Sequence, residues 1–166
     1  MNKIDKDGLL LCEIQGKTFE ISIENYTTGS EVFMRRFMNS QVAKEFDDLS
    51  ILDTNIYEKD IMIRLDEEYG VSNYGKVRYT KNEMFWIGYM YRYFSYTYKK
   101  TSRQVYKIIK PKELRGLFLP YHTMDPAQAI ERILEAKGLP VNGEMTIEQQ
   151  YKVFKRIRLK YDAVFQ

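Results

Sequence analysis

Residues 88–100, GYMYRYFSYTYKK, place Tyr89, Tyr91, Tyr93, Tyr96 and Tyr98 within ten positions and close on two lysines. The period of two along Tyr89, Tyr91 and Tyr93 fits a strand, but the surrounding apolar stretch runs from 81 to 99, far beyond a strand of about five or six residues. Thr80 with Glu83 three positions later is a capping box. The segment 81–99 is therefore predicted to be a helix. On it Trp86, Met90, Tyr93 and Thr97 form one stripe, Phe85, Tyr89, Arg92 and Tyr96 a second, and Ile87, Tyr91, Phe94 and Tyr98 a third. A helix that is apolar on every side must be surrounded by other elements, so the tyrosines are expected to build a core rather than a stacking surface. With 166 residues the chain is long enough to supply that core as one domain, 1–166.

Elements that could surround such a helix are visible on both sides. LLLCEIQGKTFEISI reads as two strands, Leu9 to Ile14 and Phe19 to Ile23, turning at Gly16, because Phe19, Ile21 and Ile23 alternate with polar residues. Ser30 is placed to cap a short helix through Val32, Phe33, Phe37 and Met38, and Ser40 to start a further turn. Asn55 with Glu58 suggests a capping box for a helix over 56–69, stopped by Gly70, and 71–79 reads as a loop around Gly75. Downstream, Thr101 or Ser102 caps a helix that ends or restarts at Pro111, and Leu114, Leu117 and Leu119 suggest another short turn. Asp125, Pro126 and Gln128 open a helix closed by Gly138. A last helix starts at Thr146, with Gln149 in the box position. Ile147, Tyr151, Phe154, Ile157 and Tyr161 form its seam, and Lys152, Lys155, Arg156 and Lys160 its outer side. Core packing is the expected role of that seam; docking a partner or lying on an anionic membrane are the alternatives. The expected fold is thus α+β and mainly α: a β-hairpin over 9–23 packed on a bundle of about five or six helices over 30–165, with 81–99 at its centre.

Charge is divided along the chain. Residues 1–75 hold 8 Lys and Arg against 15 Asp and Glu, and residues 76–166 hold 18 against 8. The densest basic run is Arg92, Lys99, Lys100, Arg103, Lys107, Lys110, Lys112 and Arg115, opposed between 92 and 115 only by Glu113. Such a run could grip nucleic-acid phosphates, with Tyr96 or Tyr98 stacking on an unpaired base. The length of 102–119 matches a helix-turn-helix, although its KPK turn lacks the glycine often found there. Equally open is a solvated basic surface that pairs with the acidic residues of 58–68.

Motifs for chemistry are sparse. The sequence contains no P-loop, dinucleotide fingerprint, nucleophile elbow or HExxH. One cysteine, Cys12, and one histidine, His122, exclude a Cys/His zinc cluster and an internal disulfide, and no cofactor is expected. His122 beside Tyr121 and Asp125 is the one candidate for acid–base work, with a loop residue bonding backbone groups as the commoner role. Asp47 with Asp48, and Asp66 with Glu67 and Glu68, could hold a cation but lack a calcium-loop spacing. The first apolar run, Leu9 to Leu11, is too short for a signal-peptide core, so a cytoplasmic protein without a membrane partner is expected.

FMRRFMNS, WIGYMYRYFSYTY, YKIIKPKEL and LPYHTMDPAQAIERIL together resemble segments of small bacterial proteins on the antitoxin side of toxin-antitoxin and related defence loci. The resemblance implies a non-enzymatic protein that neutralises a partner protein, such as a toxin, and binds DNA to regulate its own expression. It carries over no site residue. Three functional expectations follow: an antitoxin-like binding protein that also touches DNA or RNA phosphates through 92–115, a protein-only inhibitor or adaptor using the acidic first half, and a small enzyme using His122.

Overall fold

Leu11, Gln15, Phe19 and Ser22 recur at intervals of three and four, and this spacing governs the N-terminal segment. In the computed structural model, which describes residues 2–141 and 147–164, the segment is one helix, α1 (Lys6–Asn25). The expected hairpin over 9–23 is absent, and no strand occurs among the described residues. The alternation at 19–23 misleads because Phe19 is a buried face residue of the helix while Ile21 and Ile23 sit half-buried at its margins. Gly16 is not a turn residue. A Cβ there would lie 2.9 Å from Cε2 of Phe85, and one at Gly8 would lie 2.6 Å from Cε1 of Tyr96. These glycines are gaps that receive rings from the opposite helix.

That opposite helix is α5 (Lys81–Tyr98), which carries the tyrosine run. Thr80 Oγ1 accepts from the Glu83 N–H and the Glu83 carboxylate accepts from the Thr80 N–H, so the box forms as the sequence predicts. Gly88 returns the favour to α1: a Cβ at Gly88 would meet Phe19 Cγ at 2.7 Å and the Gln15 carbonyl oxygen at 2.9 Å. Small residues on both helices thus let the two axes approach closely, and α1 with α5 is the most extensive helix pair in the molecule. Met84, Ile87, Met90, Tyr91, Tyr93 and Phe94 are buried, which agrees with the core role expected of the aromatic run. The buried Tyr91 hydroxyl donates to the Ile109 carbonyl at 2.7 Å.

Around this pair stand α2 (Ser30–Met38), α3 (Gln41–Asp47), a 3-10 turn (Ser50–Asp53), α4 (Glu58–Tyr69), α6 (Ser102–Ile108) and α7 (Pro111–Tyr121). Ser40 caps α3 through the Ala43 N–H, and Thr101 caps α6 with Gln104 completing the box. Two expected caps fall elsewhere. Ser30 is the first residue of α2 behind Gly29, and its hydroxyl accepts from the Tyr79 N–H. In α4 the capping carboxylate is Asp60, accepting from the Tyr57 N–H, so Asn55 and Glu58 form no box. Residues 71–79 are the expected loop. It is strapped across the start of α2, where Gly29 and Ser30 donate to the carbonyls of Tyr74 and Val77, and Gly75 takes a φ of 85°.

The chain divides into two compact units, Asn2–Thr123 and Met124–Gln166. The second holds α8 (Pro126–Ala136) and α9 (Ile147–Val164), giving nine α-helices among the described residues against the five or six expected. Asp125 caps α8 through the N–H groups of Ala127 and Gln128, Pro126 fills the first helical position, and Gly138 follows its end at a φ of 66°. The box expected at Thr146 lies outside the described residues. No helix among those described is long and apolar enough to cross a membrane.

Candidate functional site

Arg92 has the most consequential position of the predicted cations, because it is not on the surface. Its side chain is 1 % exposed. Nε donates to Gln15 Oε1 at 2.8 Å, Nη1 to Asp47 Oδ1 at 2.8 Å and to Ser95 Oγ at 3.2 Å, and Nη2 to Ser102 Oγ at 2.6 Å. The guanidinium also lies over the Phe46 ring, 5.2 Å from its centroid. Asp47 is consumed in turn: it accepts from the Ser102 N–H at 3.0 Å and from the Ser102 hydroxyl at 2.7 Å. One charge pair therefore ties α1, α3, α5 and α6 together. Burial pulls the Arg92 pKa down from its usual value and Asp47 opposes that shift. An arginine nevertheless stays protonated at neutral pH, so the pair is ionic.

A cleft of about 450 Å³ opens above this pair. Arg92, Tyr96, Lys99 and Lys100 line it, so four of the ten predicted residues converge on one place. Lys3, which sequence reasoning did not connect to the basic run, joins them from the N-terminus. Lys99 ends α5 in the left-handed region at φ 51° and ψ 47°, a conformation that costs a side-chain-bearing residue about 1 kcal/mol or more. Asp5, also in the wall, caps α1 and is held by the Gly8 N–H at 2.9 Å and the Tyr96 hydroxyl at 2.7 Å. These bonds, the Gly8 one first, lower the Asp5 pKa; the same contact, with burial, pushes the Tyr96 hydroxyl up to about 12.

The remaining predicted residues are elsewhere. Arg115 is bonded to Glu83 at 3.0 Å and lies over the Tyr79 ring. Arg103 is exposed and donates to Asn39 Oδ1 at 3.2 Å. Lys107, Lys110 and Lys112 are exposed about the junction of α6 and α7, with the Lys110 Nζ 4.1 Å from the Tyr106 ring centroid. Tyr98 packs edge-on against Phe94. Where the basic run pairs with acids it does so with Asp47 and Glu83, not with 58–68. The acids of the first half serve as caps and partners in several separate places, Glu45 on Arg64 and Glu68 on the Gln41 N–H among them. His122 is exposed, its Nδ1 2.9 Å from the Phe118 carbonyl and its ring stacked on Phe118, which is a helix-ending role. No metal-holding cluster of three or more His, Cys, Asp or Glu exists among the described residues.

A second surface belongs to α9. Ile147, Tyr151, Phe154, Ile157, Tyr161 and Val164 are all exposed, so the seam expected to pack in a core faces solvent. At 100° per residue these side chains and Val153 occupy an arc of about 160°, and Lys152, Lys155, Arg156 and Lys160 lie outside it.

The chain matches no protein-family model, no curated protein and no solved structure. Nothing there supports the antitoxin resemblance. Nor does anything there support nucleic-acid binding, and the basic run is dispersed: Arg92 and Arg115 are engaged in ion pairs, Lys99 and Lys100 line the cleft, Arg103 bonds Asn39, and Lys107, Lys110 and Lys112 lie about the α6–α7 junction.

Proposed function

We propose that this chain is a binding protein that docks a partner protein along α9. The carrying observation is the uncovered seam: six large apolar side chains on one face of an 18-residue helix, each at least 48 % exposed. Contiguous apolar patches of this kind are interaction sites in soluble proteins. The pattern fits helix-in-groove recognition, where residues at spacings of three and four anchor the contact. Charge sets the partner's chemistry. Lys152 is 3.3 Å from Glu148, whereas Lys155, Arg156, Arg158 and Lys160 face only Asp162 on the same helix. The partner is thus a protein with an apolar groove bordered by acidic side chains. The reading places the protein in the cytoplasm, in keeping with its one cysteine, Cys12, a buried free thiol.

The test compares the full chain with Phe154→Asp and Tyr151→Asp, each tagged and purified from its native host. The expected result is one protein co-purifying near 1:1 with the parent chain, released by salt and lost from both variants. Retention of the same protein by both variants overturns the proposal. So does a purified parent chain that binds phosphatidylserine vesicles, or pairs with its own copy in sedimentation, through these side chains while capturing no other protein.

A further inference from the structure

We infer that the cleft over the Arg92–Asp47 pair is a binding site for a small molecule bearing a phosphomonoester or pyrophosphate group. Asp47 is occupied by Arg92 and by both the N–H and the hydroxyl of Ser102, and Asp5 by the Gly8 N–H and the Tyr96 hydroxyl. Asp47 is thereby the counter-ion of Arg92, whereas both bonds to Asp5 come from neutral donors onto Oδ1, so Asp5 keeps its charge in the wall. Lys3, Lys99 and Lys100 take part in no ion pair among the described residues. Lys3, Lys99 and Lys100 thus line one concavity against a single carboxylate, Asp5, that is not paired with Arg92, and this excess of positive charge favours an anion.

Charge and shape then narrow the ligand. A carboxylate brings a single negative charge, whereas a phosphomonoester near neutral pH brings about 1.5 to 2, closer to the excess of three lysines over Asp5. Lysine meets phosphate as a mobile point charge, which suits flexible side chains on an open rim. The cavity of about 450 Å³ falls in the range of about 300–1,000 Å³ usual for small-molecule sites and exceeds the needs of a bare phosphate. Phe46, Leu49 and Tyr96 supply an apolar wall for the organic body that carries the group. The Arg92–Asp47 pair, neutral as a unit, closes the floor. The left-handed backbone at Lys99 fits the same account: strain is retained at one of the three positions that bring a lysine to this rim.

The site is independent of α9 and is tested separately. Pyrophosphate and inorganic phosphate are titrated into the full chain by calorimetry, beside acetate, succinate and a single-stranded oligonucleotide without terminal phosphates. Lys99→Gln/Lys100→Gln and Lys3→Gln are compared with Lys107→Gln/Lys112→Gln, an equal loss of charge elsewhere, and urea midpoints verify folding. The expected result is one saturable pyrophosphate site, weakened at least tenfold in the 99/100 variant, also weakened in the Lys3 variant and unchanged in the 107/112 variant. The inference is overturned by absence of saturable phosphate and pyrophosphate binding, by equal affinity for succinate, by equal weakening in the 107/112 variant, or by competition from the oligonucleotide as effective as pyrophosphate.

Discussion

Arg92 carries a full charge into the interior, and the molecule tolerates it because each of its three side-chain nitrogens donates to a protein acceptor. Gln15, Asp47, Ser95 and Ser102 come from four different helices, so the arginine acts as a node joining elements rather than as a surface cation. Removing the partner and not the charge is then the damaging change. Asp47→Ala is expected to cost about 3–5 kcal/mol of unfolding free energy, since it strands a buried guanidinium and leaves the Ser102 N–H without its acceptor. The double variant Arg92→Met/Asp47→Ala should be more stable than Asp47→Ala alone, because the charge leaves together with its counter-ion. Urea denaturation of the three proteins decides; a double variant less stable than Asp47→Ala would show that the arginine stabilises through packing or its neutral partners. In the sequence Arg92 reads as the first cation of an accessible basic run, yet it is buried on a stripe whose Phe85, Tyr89 and Tyr96 are half-buried. Its partner, however, lies 45 positions away on another helix, and no local pattern announces that pairing.

At the scale of helices, what was legible is what is decided locally. Thr80 with Glu83, Ser40, and Asp125 with Pro126 each settle a helix start within four residues, and each cap forms; of Thr101 and Ser102, both open in the sequence, Thr101 is the cap. The identity of α1 is decided non-locally. Gly8 and Gly16 look like turn residues until the rings of Tyr96 and Phe85 are brought over them, and the alternation of Phe19, Ile21 and Ile23 is the same whether the segment bends or coils. Ser30 likewise reads as a cap in the sequence, whereas its hydroxyl accepts from the Tyr79 N–H, 49 positions on. The close crossing of α1 and α5 makes a prediction of its own. Gly88→Ala drives a methyl against Phe19 and the Gln15 carbonyl, and overpacking of this kind costs about 1–3 kcal/mol. Gly116→Ala, in the body of α7 with no heavy atom within 4 Å of the added carbon, should instead gain about 0.5–1 kcal/mol from helix propensity. Opposite signs for one chemical change, read from thermal or urea unfolding, test whether the contact or the propensity governs each site.

Over the whole molecule many small engagements of carboxylates set the response to acid. Glu45 is held below the usual 4.5 by its bidentate bond to Arg64, at 2.6 and 2.7 Å. Glu83 is also lowered: burial pushes it up, but the Thr80 N–H, the Thr80 side chain and Arg115 together outweigh that. Asp5, Glu24 and Asp48 shift in the same direction through their own hydrogen bonds. A carboxyl whose folded pKa lies below its unfolded value contributes stability that is complete above the unfolded pKa. That stability disappears as pH falls through the folded one, because the unfolded chain then binds more protons. Unfolding free energy should therefore be nearly flat from about pH 8 to 5 and fall steeply below about 4.5, where the charge of 26 Lys and Arg is also progressively uncompensated. Glu45→Gln isolates one contribution. At pH 7 it should cost about 0.5–1 kcal/mol, the worth of a partly exposed, well-aligned ion pair, and the gap from the parent should close as pH drops toward 3. Denaturation curves for both proteins that stay parallel from pH 7 to 3 would place the acid sensitivity in other carboxylates, with Glu83 and its bond to Arg115 the next to replace.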